Sequence, residues 1–179
     1  YHLQIDIQPA EKNYESWDVL VEKMKQEMST CRTLSGYMVL LCYIHGYPLR
    51  LGDIVKTSIH RSSQNNWLDL DNNTWYILKD FTKNRRAREF KVSDEFVSEV
   101  RKHIHPTGML VCRRGGQPYK SQVVLRHLDI HSVQVNEVRN SFETWNYARE
   151  DVSEDEKNDI SVNVLGHEPT TARAYYVND

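Results

Sequence analysis

The amino-acid sequence predicts one mainly α-helical domain that also carries a small three-stranded antiparallel β-sheet. The chain has 179 residues, a length that suits a single globular domain. Apolar residues recur at intervals of three and four in several segments, which is typical of helices with one buried face. Between residues 66 and 92 the apolar pattern changes to a period of two, which is typical of short strands.

The first half of the chain predicts three helical segments. Residues 13–29 place their apolar side chains on one helical face, with an N-cap at residue 13 or 16. Residues 33–44 are apolar almost all round, so we expect a central buried helix. Gly46 is predicted to end that helix in the left-handed conformation, and Pro48 opens a short helical segment that reaches residue 55.

The second half predicts the sheet and the remaining helices. Residues 67–70 and 74–78 form a hairpin, and residues 89–92 add the third strand after a basic connection. Ser93 caps a helix over residues 94–103, which has acids in its first turn and bases in its last. One further strand is possible at 109–112, and further helices are predicted at 121–131, 136–149, 153–165 and 169–176.

Composition excludes several classes of protein. The longest apolar run, Tyr37 to Ile44, is far shorter than the ~20 residues that cross a bilayer, so no membrane span is expected. Three widely spaced cysteines, Cys31, Cys42 and Cys112, predict buried thiols in a reducing compartment and no disulfide framework. The chain shows no signal-peptide pattern at its start, so we expect an intracellular protein that is not secreted.

Metal and nucleotide sites are not predicted. His127 and His131 stand four residues apart, but no third ligand follows at a persuasive spacing. Gly115 and Gly116 are too few glycines for a phosphate-binding loop of the nucleotide type. We therefore expect no metal and no cofactor.

Charge is segregated along the chain, although the net charge is only −2. Basic residues cluster in two segments and acidic residues collect between 143 and 159. The pattern fits either two solvated charged faces or one face that attracts a polyanion. On the second interpretation the candidate nucleic-acid contacts are Lys79, Arg85, Arg86, Arg88, Lys91, Arg113, Arg114 and Lys120.

Four short motifs recur in the order known from one enzyme family. Gly46 to Ile54 carries Arg50 and Asp53 in a segment similar to G-x-R-hydrophobic-x-E/D, with two extra residues after the glycine. Lys83 precedes the strand that ends in Val-Ser, and Arg139 closes Asn-Glu-Val-Arg before Asn-Ser-Phe. Leu-Gly-His ends at His167, and Tyr176 lies nine residues beyond.

From about residue 33 onward the sequence resembles the catalytic domain of tyrosine recombinases, the phage-integrase family. The resemblance implies cleavage and rejoining of double-stranded DNA through a covalent 3′-phosphotyrosyl intermediate, without metal or ATP. It implies that Arg50 and Arg139 grip the scissile phosphate, with Asp53 orienting Arg50. Lys83 would be the general acid, His167 would contact the phosphate or position the tyrosine, and Tyr176 would be the nucleophile.

Two positions leave alternatives open. Asn136 stands where the family usually has the histidine of H-x-x-R, and an amide cannot exchange a proton near neutral pH. Tyr175 is a rival nucleophile, although its spacing from His167 is eight residues. The alternatives to a recombinase are a type IB topoisomerase and a recombinase-like DNA-binding module without catalysis.

The resemblance also implies an origin in a virus or mobile element and a separate N-terminal domain that clamps the other side of the DNA. All 179 residues would then form a single catalytic domain. We expect the full-length protein to act as a homotetramer on DNA, in the host nucleus or cytoplasm, and this chain alone to be monomeric.

Overall fold

The computed structural model describes residues 14–79, 86–119 and 122–167, which form helices around a small sheet. Helix α1 (Trp17–Thr30) begins at Ser16, whose side chain accepts a hydrogen bond from the amide of Val19. Helix α2 (Leu34–His45) begins in the same way at Thr33, and most of its side chains are buried. These local caps explain why the predicted start points of both helices agree closely with the structure.

The end of α2 differs from the prediction. Gly46 has φ −103°, so it does not adopt the left-handed conformation. A Cβ atom there would lie 2.9 Å from the carbonyl oxygen of Cys42 and 3.2 Å from the ring of Phe96. Glycine is therefore needed for close packing rather than for a positive φ angle.

The sheet has four strands and is mixed, which corrects the predicted three-stranded antiparallel sheet. Its strands, in spatial order, are β1 (Thr57–Ser58), β2 (Asn66–Asp69), β3 (Thr74–Ile77) and β4 (Arg88–Lys91). The three longer strands pair antiparallel as expected, whereas β1 pairs parallel with β2. A two-residue strand shows no alternation, so the sequence carries no signal for it. The possible strand at 109–112 is reduced to an isolated bridge between Met109 and Ser58.

Four further helices flank the sheet and α2. They are α3 (Leu51–Val55), α4 (Asp94–His103), α5 (Val135–Ala148) and α6 (Glu154–Asp159), and a π-helical turn (Ile160–Val164) continues α6. The helix predicted at 121–131 is wrong: only a 3₁₀ turn (Leu125–Leu128) forms, and Asp129 ends it at φ 63°. The helix predicted at 169–176 lies outside the described residues.

The hydrophobic core centres on α2 and on the inner face of the sheet. Met38 and Leu40 of α2 are fully buried, as are Trp75 of β3 and Phe96 of α4. The rings of Trp75 and Phe96 stack with centroids 5.7 Å apart. Cys42 and Cys112 are buried free thiols and Cys31 is half-buried. None of the described helices is long and apolar enough to span a bilayer.

Candidate active site

A groove of about 1250 Å³ lies between α3, α5 and the segment that leads into α5. Arg50, Asn136 and Arg139 all line it, although they are up to 89 positions apart in the sequence. Arg50 is the residue before α3, and Arg139 lies one turn into α5. The fold therefore brings the two arginines of the sequence motifs to one shared cavity.

Backbone carbonyl groups hold the buried guanidinium group of Arg139. One of its terminal nitrogens, Nη1, donates to the carbonyl oxygen of Pro48 at 2.7 Å, and Nη2 donates to that of Leu165 at 2.9 Å. Nη2 also donates to Nε2 of His167 at 2.9 Å. Burial, and then the nearby charge of Arg50, lowers the pKa of Arg139 to about 10, so the group stays protonated at neutral pH.

Gly166 is the point around which two other arginines converge. It has φ 77°, a conformation that favours glycine, and it follows the π-helical turn. A Cβ atom at this position would lie 2.9 Å from Nη1 of Arg88 and 3.0 Å from Nη1 of Arg50. The backbone of the Leu-Gly-His motif thus forms a wall against which the two guanidinium groups pack.

Arg88 corrects two expectations. Its side chain is fully buried on β4, so it does not lie on the surface as the predicted nucleic-acid contact would. Nη2 of Arg88 donates to Oδ2 of Asp53 at 3.2 Å, so the carboxylate of Asp53 pairs with Arg88 instead of Arg50. The inward pattern of β4, in which alternate residues are buried, turns Arg88 to the same side as Phe90.

Positive charge exceeds negative charge in this cluster. Among the described residues, Nε and Nη1 of Arg88 have no hydrogen-bond partner. Burial lowers the pKa of Arg88, and Asp53 opposes that shift. Arg50, Arg88 and Arg139 face two carboxyl groups, that of Asp53, which pairs with Arg88, and that of Glu143, which interacts with Arg139. An uncompensated group of cations beside a groove is suited to binding an anion such as a phosphate.

His167 connects Arg139 to a buried acid. Its Nδ1 atom lies 3.5 Å from Oε1 of Glu143, and Nε2 faces Arg139. Burial and the charges of the three arginines lower the pKa of His167 to about 4, so the ring is neutral at pH 7. Burial raises the pKa of Glu143 to about 7, against the hydrogen bond that it accepts from Ser161.

The other predicted residues fall into two groups. Five of the basic residues predicted to contact nucleic acid are exposed: Lys79, Arg86, Lys91, Arg113 and Arg114. The guanidinium group of Arg113 lies 5.3 Å from the ring centre of Tyr119, which lines the groove. The remaining predicted residues lie outside the described part of the chain: Lys83, Arg85, Lys120, Tyr175 and Tyr176.

Sequence reasoning missed three residues that border the site. Lys56 and Arg126 line the groove and are exposed. Glu143 is fully buried one helical turn beyond Arg139, a spacing that places both on one face of α5. The position of Glu143, four residues after the motif arginine, could therefore have predicted that it borders the site. In the described ranges no group of three or more His, Cys, Asp or Glu side chains could hold a metal ion.

Comparison with known proteins supports a fold class. No family model matches the sequence, and no curated protein matches it. The mainly helical chain with its small mixed sheet is similar in fold to XerA recombinase. The two chains share 14% sequence identity, and their structures superpose with a TM-score of 0.53. The match covers the whole of this chain and 62% of that one.

Proposed function

We propose that the chain is the catalytic part of a DNA strand transferase that works as tyrosine recombinases do. The observation that carries the proposal is the convergence of Arg50 and Arg139 on one groove, with Arg88 behind them and an excess of positive charge. Guanidinium groups form forked hydrogen bonds with phosphate oxygens, a geometry that lysine does not reproduce. The recombinase fold supports DNA as the polyanion that enters the groove.

In the proposed reaction the tyrosine phenol releases its proton to solvent, and its oxygen attacks a phosphodiester of the duplex. The new bond joins that oxygen to phosphorus, and the bond from phosphorus to the 5′ oxygen breaks. Negative charge grows on the non-bridging oxygens, where Arg50 and Arg139 would stabilise it. The departing oxygen takes a proton from Lys83, and Tyr176 keeps the 3′ phosphate until a new 5′ hydroxyl reverses the step.

The wider assembly belongs to the same proposal. Exposed basic residues such as Arg113 and Arg114 would contact the DNA backbone beside the groove. A full-length protein with an additional N-terminal domain would close around the duplex and act as a tetramer. Recombination of the DNA of a virus or mobile element is the biological outcome that we propose for it, whether by insertion, excision or resolution.

A nicked suicide substrate tests the proposal. Such a DNA loses the short strand after cleavage, so the covalent adduct accumulates and remains on a denaturing gel. We expect an adduct with the wild-type chain and none with Tyr176→Phe, Arg50→Ala or Arg139→Ala. An adduct in Tyr176→Phe that disappears in Tyr175→Phe would move the nucleophile by one residue. No adduct on any duplex that the protein binds would refute strand transfer.

A DNA-binding module without catalysis is the second candidate, and Asn136 favours it. This exposed amide lines the groove at the position where the family pattern has a histidine. Asn136 can orient a phosphate oxygen but cannot carry a proton near neutral pH. The same suicide substrate separates the candidates, because the module would bind it and leave it intact.

A further inference from the structure

Glu143 is a buried acid that the proposed mechanism does not use. Its residue exposure is 0%, and it lies on α5 beneath His167. Its Oε1 atom accepts from the hydroxyl of Ser161 at 3.3 Å and lies at ion-pair distance, 3.5 Å, from Nδ1 of His167. The other carboxyl oxygen, Oε2, is buried without a hydrogen-bond partner among the described residues. A buried carboxyl group aimed at one ring nitrogen is an arrangement that costs solvation energy.

The hydrogen-bond donors and acceptors fix the tautomer of His167. A guanidinium group can only donate, so Nε2 of His167 must be the acceptor of the 2.9 Å contact with Arg139. The neutral ring therefore carries its proton on Nδ1, which is the atom that faces Glu143. Oε1 remains an acceptor whether Glu143 is ionised or has a proton on Oε2.

We propose that Glu143 is a positioning residue: it accepts a hydrogen bond from Nδ1–H of His167, and this keeps Nε2 as the acceptor that orients Arg139. The contribution to catalysis rests on the proposed function, because it acts through the arginine that would grip the phosphate. The chain of contacts runs from Ser161 through Glu143 and His167 to Arg139. Its members come from three parts of the fold: Ser161 from the π-helical turn, Glu143 and Arg139 from α5, and His167 from the Leu-Gly-His segment.

The charges around this chain of contacts explain why an acid is placed there. Arg50, Arg88 and Arg139 all repel a proton on the His167 ring, and Asp53 offsets only part of their charge by pairing with Arg88. A further ionisable neighbour is the phenol of Tyr43, which interacts electrostatically with Arg139 and whose pKa is raised by burial. Among these neighbours, only Glu143 offers a carboxyl oxygen on the Nδ1 side of the ring.

Two substitutions of Glu143 test whether its side chain acts as a hydrogen-bond acceptor or only fills space in the core. Glu143→Gln keeps an oxygen that accepts from Nδ1, whereas Glu143→Met fills a similar volume and removes the acceptor. Glu150→Gln is the matched control, because it removes an exposed carboxylate just beyond the end of α5. Glu143→Leu replaces Glu143→Met if the methionine variant does not fold.

The first measurement is ¹⁵N NMR of the histidine ring nitrogens in the 179-residue chain without DNA. Wild type, Glu143→Gln and Glu150→Gln should show His167 protonated on Nδ1. In Glu143→Met we expect changed ring shifts and faster solvent exchange of the Nδ1 proton. Wild-type shifts and exchange in Glu143→Met would overturn the proposal.

The second measurement is the rate of adduct formation on the suicide substrate. We expect about a 10–100-fold lower rate in Glu143→Met at unchanged DNA affinity, and a rate near wild type in Glu143→Gln. Equal loss in both variants, or no loss in Glu143→Met, would overturn the role in catalysis. If the wild type forms no adduct, strand transfer fails as a function, while the NMR result still decides whether Glu143 fixes the ring.

Discussion

At the scale of single residues, Asp53 is a buried acid whose removal should destabilise the site. Its carboxylate is buried and is the ion-pair partner of Arg88, whose side chain has no exposed surface. A buried pair adds little to stability as a whole, because both charges lose their hydration when the chain folds. Removing one partner is different, since it leaves the other charge buried and uncompensated.

We therefore predict that Asp53→Asn lowers the free energy of unfolding by about 3 kcal/mol, measured by urea denaturation. Asp71→Asn is the matched control, because Asp71 forms an exposed ion pair with Arg101. It should unfold at nearly the wild-type urea concentration. Adding Arg88→Met to Asp53→Asn should recover part of the loss, and a double variant less stable than Asp53→Asn would contradict the assignment.

Glu143 and His167 should make opposite contributions to the pH dependence of stability. Burial raises the pKa of Glu143 from 4.5 to about 7, so the folded chain binds a proton at a higher pH than the unfolded chain does. Its contribution to stability is present below pH 4.5 and is lost as pH rises to 7. The pKa of His167 falls from 6.5 to about 4, so its contribution is present above pH 6.5 and is lost as pH falls to 4.

The two effects offset each other between pH 6.5 and 4.5, and Glu143→Gln removes one of them. We predict that acidification from pH 7 to 4.5 costs this variant on the order of 2 kcal/mol more stability than it costs the wild type. Urea titrations at several pH values measure the difference. Parallel pH profiles for the two chains would show that the burial of Glu143 does not shift its proton affinity.

At the scale of elements, local signals predicted α1, α2 and α4 closely, because caps and apolar periodicity lie within each helix. The sequence could not predict β1, since a two-residue strand in a parallel pair leaves no pattern. The charge of Arg88 suggested a surface role, and only its place on an inward-facing strand position reveals its burial. The meeting of Arg50 with Arg139 depends on tertiary packing, so the family resemblance predicted it and spacing alone did not.

Gly166 gives the element-scale prediction, because its segment must leave room for two arginines. Alanine there would adopt an unfavourable φ of 77° and place its Cβ 2.9–3.0 Å from Arg88 and Arg50. We predict that Gly166→Ala lowers the unfolding free energy by about 1–3 kcal/mol. The rate of adduct formation should fall by at least the factor to which this loss of free energy corresponds.

Gly52→Ala is the control for this substitution. Gly52 lies in α3, and nothing lies within 4 Å of the Cβ that alanine would add. Alanine has a higher helix propensity than glycine, so Gly52→Ala should leave stability unchanged or raise it slightly. Comparable melting temperatures for Gly166→Ala and wild type would contradict the prediction, because they would show that a Cβ atom fits at residue 166 beside Arg50 and Arg88.

At the scale of the whole molecule, two kinds of basic residue have different tasks. Arg50, Arg88 and Arg139 are held by α3, β4 and α5 around one anion site. A second group is exposed at the molecular surface, and Arg113 stands against a residue that borders the groove. The acidic residues of α6, among them Glu154 and Asp155, are exposed as well. The net charge of −2 therefore conceals a basic groove.

Salt dependence of duplex binding tests this division. A cationic side chain that binds a phosphate releases counterions from the DNA, and each one steepens the slope of log K against log salt by about 0.9. We predict that Arg113→Gln and Arg114→Gln each lower the magnitude of the slope by about 1 on duplexes of any sequence.

Arg149→Gln is the control and should leave the slope unchanged, because Arg149 pairs with Asp151 beside the acidic segment. Fluorescence anisotropy between roughly 50 and 200 mM salt, where phosphate binding weakens steeply, measures the slopes. Equal slopes for Arg149→Gln and Arg113→Gln would show that the duplex does not prefer the basic surface beside the groove, and would contradict the proposed binding site.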